Sequence, residues 1–147
     1  MRKLIPLNLI MLVDDDDTTN YLNKRMLEKL NAAGKVLIMK DGKQALEYLE
    51  KACQSVYSGE YPCPDLILLD IKMPVFDGFE FLNAYRKAKF NFSKEIVILM
   101  LSSSASFYDL EKIKEYPEVK RHYSKSLLEI DVKDIIEEYF PGHVMHV

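Results

Sequence analysis

Leu66-Ile67-Leu68-Leu69-Asp70-Ile71-Lys72-Met73-Pro74-Val75-Phe76-Asp77-Gly78 joins three signals in one short stretch. Leu66 to Leu69 is apolar without alternation, as a strand covered by helices on both faces must be. The run ends on a carboxylate, Asp70. Beyond the Met73-Pro74 turn, Asp77-Gly78-Phe79-Glu80 sets a capping side chain three residues before an acid, a helix start. A buried strand ending in a carboxylate and turning into a helix is one βα unit.

The same unit recurs on either side. Apolar runs at Leu9 to Val13, Lys35 to Met39, Leu66 to Asp70, Ile96 to Leu101 and Arg121 to Ser124 alternate with helix-period segments at Thr18 to Leu30, Lys43 to Lys51, Phe79 to Lys87, Ser106 to Glu115 and Val132 to Phe140. In the last helix Val132, Ile135, Ile136, Tyr139 and Phe140 form one apolar stripe. Ser106-Phe107-Tyr108-Asp109 repeats the capping pattern. Five alternating units predict an α/β fold around a parallel sheet. The segment from Lys51 to Pro64, with Gly59, Pro62 and Pro64, reads as an extended loop within one domain.

The residues with an obvious chemical use stand at the carboxyl ends of these runs: Asp14 and Asp15, Asp70, Ser102 and Lys125. In an open α/β sheet that edge, where strand order reverses, is where ligands bind. Two unit charges about 4 Å apart at an effective dielectric near 20 repel by roughly 4 kcal/mol, so Asp14, Asp15 and Asp70 gathered together need a proton or a cation. Magnesium favours carboxylates, a few waters and a phosphate oxygen, and Lys125 can add a positive charge on the far side of that phosphate. Asp16 and Asp17 read as helix capping and a solvated turn.

Composition narrows the classes. The 147 residues, 48% hydrophobic and 29% charged, suit one soluble domain with a sizeable core. A net charge of −3, with lysines and arginines scattered among acids, gives no footprint for nucleic acid. Cys53 and Cys63 lack the number and spacing of a disulfide framework, which fits a reducing cytoplasm. Leu4 to Val13 follows a basic start, but Pro6 and Asn8 interrupt it and four aspartates end it, so it is no signal peptide. No stretch approaches the roughly 20 apolar residues of a membrane helix.

Leu12-Val13-Asp14-Asp15-Asp16, Leu68 to Gly78 with its D-x-x-M-P-x-x-D-G pattern, Leu101-Ser102-Ser103-Ser104 and Ser124-Lys125 together resemble the receiver domain of bacterial two-component response regulators. The resemblance spans about Leu9 to Phe140. It implies a flavodoxin-like, doubly wound (βα)5 fold with strand order 2-1-3-4-5 and a receiver over residues 5–140; the residues that remain, 141–147, read as a short tail, too few for an output domain. The resemblance implies a signalling switch rather than an enzyme: Asp70 accepts a phosphoryl group from a histidine kinase or histidine phosphotransfer protein. Asp15, Asp70 and the backbone carbonyl of Lys72 bind magnesium or manganese, with Asp14 acting through water. Ser102 hydrogen-bonds the phosphoryl group, Lys125 pairs with it, and Lys72 and Ser104 flank the path of hydrolytic water. Output is then carried to a protein target by the last two helices and last strand, around Phe107, Tyr108, His122 and Tyr123.

Two positions depart from the family pattern. Ser126 follows Lys125 where receivers usually carry a cis proline, so the bond is expected to be trans or, at a cost of about 2.5–4 kcal/mol, a locally supported cis. His122 occupies the place of the aromatic switch residue; with Ser102 it forms the expected switch pair, sensitive to pH. His143 and His146 read as solvated tail residues. A haloacid-dehalogenase-like phosphatase is the alternative, since Asp14-Asp15-Asp16-Asp17-Thr18 satisfies D-x-D-x-T with Asp14 as nucleophile. It needs a further acidic pair at a strand end, whereas Glu129, Asp131 and Asp134 fall at or in the last helix, and it leaves Asp70 and Met73-Pro74 unexplained.

Overall fold

A computed structural model describes residues 1–54, 59–92, 94–103 and 105–147. In chain order the elements are β1 (Arg2–Leu4), β2 (Leu7–Val13), α1 (Asp17–Lys29), β3 (Ala33–Met39), α2 (Gly42–Ala52), β4 (Leu66–Asp70), α3 (Gly78–Ala88), β5 (Val97–Ser102), α4 (Phe107–Ile113), β6 (Val119–Ser124), α5 (Glu129–Tyr139), a 3-10 turn (Pro141–His143) and β7 (Val144–His146). Five strands form a parallel sheet in the order β3-β2-β4-β5-β6. Counting those five alone, the order is the expected 2-1-3-4-5.

The apolar runs divide by residue parity between the two faces of the sheet. Ile10, Leu12, Leu66, Leu68, Leu99 and Leu101 pack with Leu27 of α1 and Val132, Ile135 and Ile136 of α5. Met11, Val13, Ile67, Leu69, Ile98 and Met100 pack on the other side with Ala45 and Leu49 of α2 and Phe79, Phe81 and Leu82 of α3. This two-sided burial is why β4 reads as an unbroken apolar run. Both predicted capping boxes form, Asp77 with Glu80 and Ser106 with Asp109.

Gly78 marks a close approach of strand and helix. A Cβ there would lie 2.5 Å from the carbonyl oxygen of Asp70 and 2.8 Å from Met100 Cε. The missing side chain lets α3 begin directly against the end of β4, and the Gly78 amide donates to the Ile71 carbonyl.

The two chain ends differ from expectation. β1 and β7 pair antiparallel, Arg2 opposite His146 and Leu4 opposite Val144, as a separate two-stranded sheet. Arg2 Nη1 lies 2.7 Å from both Asp134 Oδ1 and Glu137 Oε2 of α5. His143 Nδ1 lies 2.9 Å from the Ile5 carbonyl, and His146, exposed as expected, places Nε2 3.4 Å from Glu137 Oε1. Strands of three residues carry no readable period, and the pairing joins opposite ends of the sequence.

Candidate functional site

At the carboxyl edge of the sheet, β2 and β4 end side by side: Asp14 follows Val13, the last residue of β2, and Asp70 closes β4. Asp14 and Asp70 are buried, and Asp15 is exposed. Carboxylate oxygens of the three lie within 4.8 Å of one another. Lys125, just past the end of β6, reaches back so that Nζ is 3.1 Å from Asp70 Oδ2 and 3.2 Å from Asp14 Oδ2. The sequence-predicted acids and lysine therefore meet at one point.

Backbone bonds fix Asp14, Asp70 and Lys125. The Asp16 amide donates to Asp14 Oδ1 at 2.9 Å, and the Lys72 amide donates to Asp70 Oδ1 at 3.3 Å, which brings the Lys72 backbone to the cluster. The Lys125 amide donates to the Ser102 carbonyl at 2.9 Å, pinning the lysine beside the end of β5. Ser102 is buried there. Ser104 lies outside the described residues. The Lys125–Ser126 bond is trans, with Ser126 in the left-handed region at φ 60°.

Electrostatics answer to this crowding. Burial first, and the Asp14 charge second, push the Asp70 carboxyl up to about 6, against the pull of Lys125. Burial pulls the Lys125 ammonium down, but Asp70 and Asp14 beside it outweigh that and raise it. Three carboxylates this close, one of them pushed up to about 6 by burial and by the Asp14 charge, fit a hard divalent cation.

Around this centre, Lys72 Nζ extends to 3.8 Å from Asp109 Oδ2 at the start of α4. His122 is half-buried in β6 opposite Met100, its Nε2 has no hydrogen-bond partner among the described residues, and burial lowers its pKa while Asp109 opposes that. Phe107 and Tyr108 are 78% and 69% exposed, whereas His122 and Tyr123 are half-buried, so the aromatic surface is narrower than the sequence suggests. Two asparagines of α1 that the sequence reading passed over also touch the site's frame. Asn20 Nδ2 donates to the Asp14 carbonyl, and Asn23 Oδ1 accepts from the Leu127 amide. The signal for them was polar residues at helix positions that face the sheet.

A family model described as the response regulator receiver domain matches residues 10–135. The chain belongs to the response regulator receiver domain family. The receiver is 30% identical over 130 residues to a probable methanogenesis regulatory protein, FilR2, of Methanothrix harundinacea, covering 88% of this chain and 79% of that one. Other curated relatives are longer, and the receiver spans 6% of one and 37% of another. Among solved structures it superposes on the bacteriophytochrome response regulator AtBRR with a TM-score of 0.72 and 29% identity, covering 96% of each chain. The Mn(2+)-bound form of response regulator Rcp1 gives 0.65 and 28%, covering 90% of this chain and 94% of that one.

Receivers are signalling modules of two-component systems, not classical enzymes; the Rcp1 structure is an Mn(2+)-bound form, and the acidic cluster of this chain offers carboxylates of the kind a divalent ion takes. The acids that the phosphatase alternative would need are engaged elsewhere. Asp131 accepts from the Leu128 amide, Asp134 pairs with Arg2, and Glu129 lies 3.6 Å from Lys133. No helix among the described residues is long and apolar enough to cross a membrane.

Proposed function

We propose that this receiver takes a phosphoryl group onto Asp70 from a histidine kinase or histidine phosphotransfer protein, and signals through protein contacts. The observation that carries the reading is the buried Asp70 carboxylate, with Asp14 and Asp15 beside it and Lys125 Nζ at 3.1 Å. An Asp70 oxygen attacks phosphorus, the donor's phosphorus–nitrogen bond breaks, and the electron pair leaves with the imidazole, which takes up a proton. Lys125 neutralises charge on the transferred oxygens, and Ser102 donates to one of them. Asp15, Asp70 and the Lys72 carbonyl would hold magnesium, and Asp14 would act through water; a bound ion would supply positive charge against the carboxylates and the phosphoryl oxygens. Manganese suits the same oxygen donors. Lys72 and Ser104 then control access of water to the anhydride.

The output reading rests on the face built by α4, β6 and α5. Ser102 drawn toward the phosphoryl group leaves room for His122, whose Nε2 has no partner among the described residues to lose by moving. Phe107 and Tyr108 offer the target apolar surface. A reducing cytoplasm suits the free thiols Cys53 and Cys63, and the net charge of −3 argues against nucleic acid as a direct ligand. Affinity capture with the phosphorylated, unphosphorylated, Asp70→Asn and Ser102→Ala forms tests this reading. Different affinities of one target for the first two, with both variants matching the unphosphorylated form, support it. Identical affinities across all four overturn phosphate control of output.

A further inference from the structure

The fully buried positions of α1 are mostly polar where those of a helix packed on a sheet are ordinarily apolar, although Met26 and Leu30 also pack on the core. Of its buried residues Thr19, Asn20, Asn23 and Leu27, only Leu27 is apolar. Asn20 and Asn23 are each 3% exposed, and a buried amide costs about 1–3 kcal/mol unless it is hydrogen-bonded. Each makes one buried bond to backbone at the edge of the site. Asn20 Nδ2 donates to the Asp14 carbonyl at 2.8 Å, and Asn23 Oδ1 accepts from the Leu127 amide at 3.4 Å. Asn20 Oδ1 has no partner among the described residues, so stability alone does not account for an asparagine there.

The two anchor points are the two sides of one ion pair. Asp14 carries the carboxylate that faces Lys125 Nζ at 3.2 Å, and Leu127 stands two residues beyond that lysine. Between the Lys125 amide, bonded to Ser102, and the Leu128 amide, bonded to Asp131, the Asn23 bond ties this loop to α1. Residues three apart on a helix share a face at fixed spacing.

We propose that Asn20 and Asn23 are positioning residues. Asn20 sets the Asp14-Asp15 turn and Asn23 sets the Lys125 loop, so that α1 fixes the gap between the acidic cluster and the lysine. The proposal rests on the phosphoryl-acceptor reading above. Neither side chain touches the reacting atoms, and each acts through the backbone it holds.

Asn20→Leu and Asn23→Leu keep the size and remove the polar atoms; the alanine variants serve if either fails to fold. Three quantities separate the roles: magnesium affinity by calorimetry, exchange of the Leu127 amide in metal-free protein, and the rate of phosphorylation by acetyl phosphate at saturating magnesium. Asn20→Leu weakens magnesium binding about tenfold and leaves Leu127 exchange unchanged. Asn23→Leu leaves magnesium affinity within about twofold, speeds Leu127 exchange about tenfold and slows phosphorylation about tenfold. Wild-type values in both variants, or parallel losses in all three that follow a fall in melting temperature, overturn the proposal. Wild-type protein that takes up no phosphoryl group refutes the acceptor reading alone, and the magnesium and exchange arms still decide the positioning role.

Discussion

Asp70 shows how a site residue sets itself against stability. Its carboxyl is held at about 6, above the ordinary 3.8, by burial and then by the Asp14 charge. The folded state thus favours the protonated acid. That contribution is fully present below pH 3.8 and is lost as pH rises through about 6. In metal-free protein the melting temperature should therefore fall between about pH 4 and 7, and Asp70→Asn should remove much of that slope. At about pH 7 the variant should be more stable by about 1–2 kcal/mol, read by thermal denaturation in chelator. A variant melting below wild type under those conditions would refute the electrostatic account. The residue types of Asp14, Asp15, Asp70 and Lys125 were legible because chemistry-bearing side chains stood at the ends of apolar runs. Val75 was not legible in the same way. It takes φ 70° in a turn closed by the Phe76 amide on the Pro74 carbonyl, a backbone state that a β-branched residue does not announce.

At the scale of elements, the Gly78 turn makes a sharp demand. Gly78→Ala places a methyl group against the Asp70 carbonyl and Met100, and should cost about 1–3 kcal/mol in chemical denaturation. Unchanged stability would mean that the β4–α3 junction shifts freely. Boundaries were read less well than elements. The first parallel strand begins at Leu7 rather than Leu9, β3 at Ala33 rather than Lys35, and α5 at Glu129 rather than Val132. Those extra residues are small, polar or weakly periodic, so pairing and capping define them rather than composition. The β1–β7 sheet had no signal at all, because its register joins Arg2 to His146. Leu4 is nevertheless 5% exposed and packs into the α1–α5 side of the core. Leu4→Ala should cost about 2–3 kcal/mol, although it precedes the residues that the family model matches. A loss below about 0.5 kcal/mol would show that the terminal sheet is not coupled to the core.

For the whole molecule, the parallel sheet and its two-faced burial were legible because unbroken apolar strands alternate with amphipathic helices, whereas the strand order was legible only through the resemblance to receivers. What brings Asp14, Asp70, Ser102 and Lys125 together is that order, since their strands lie side by side across β2, β4, β5 and β6. The polar face of α1 escaped notice because asparagine in a helix ordinarily reads as solvated. The central claim is that this convergence makes Asp70 the one phosphoryl acceptor. Intact-mass measurement after incubation with acetyl phosphate, with and without magnesium, followed by mapping of the modified residue, tests it most directly. The account predicts a single phosphoryl group on Asp70 that requires magnesium and is absent in Asp70→Asn. Modification at Asp14, or uptake by Asp70→Asn equal to wild type, would contradict it.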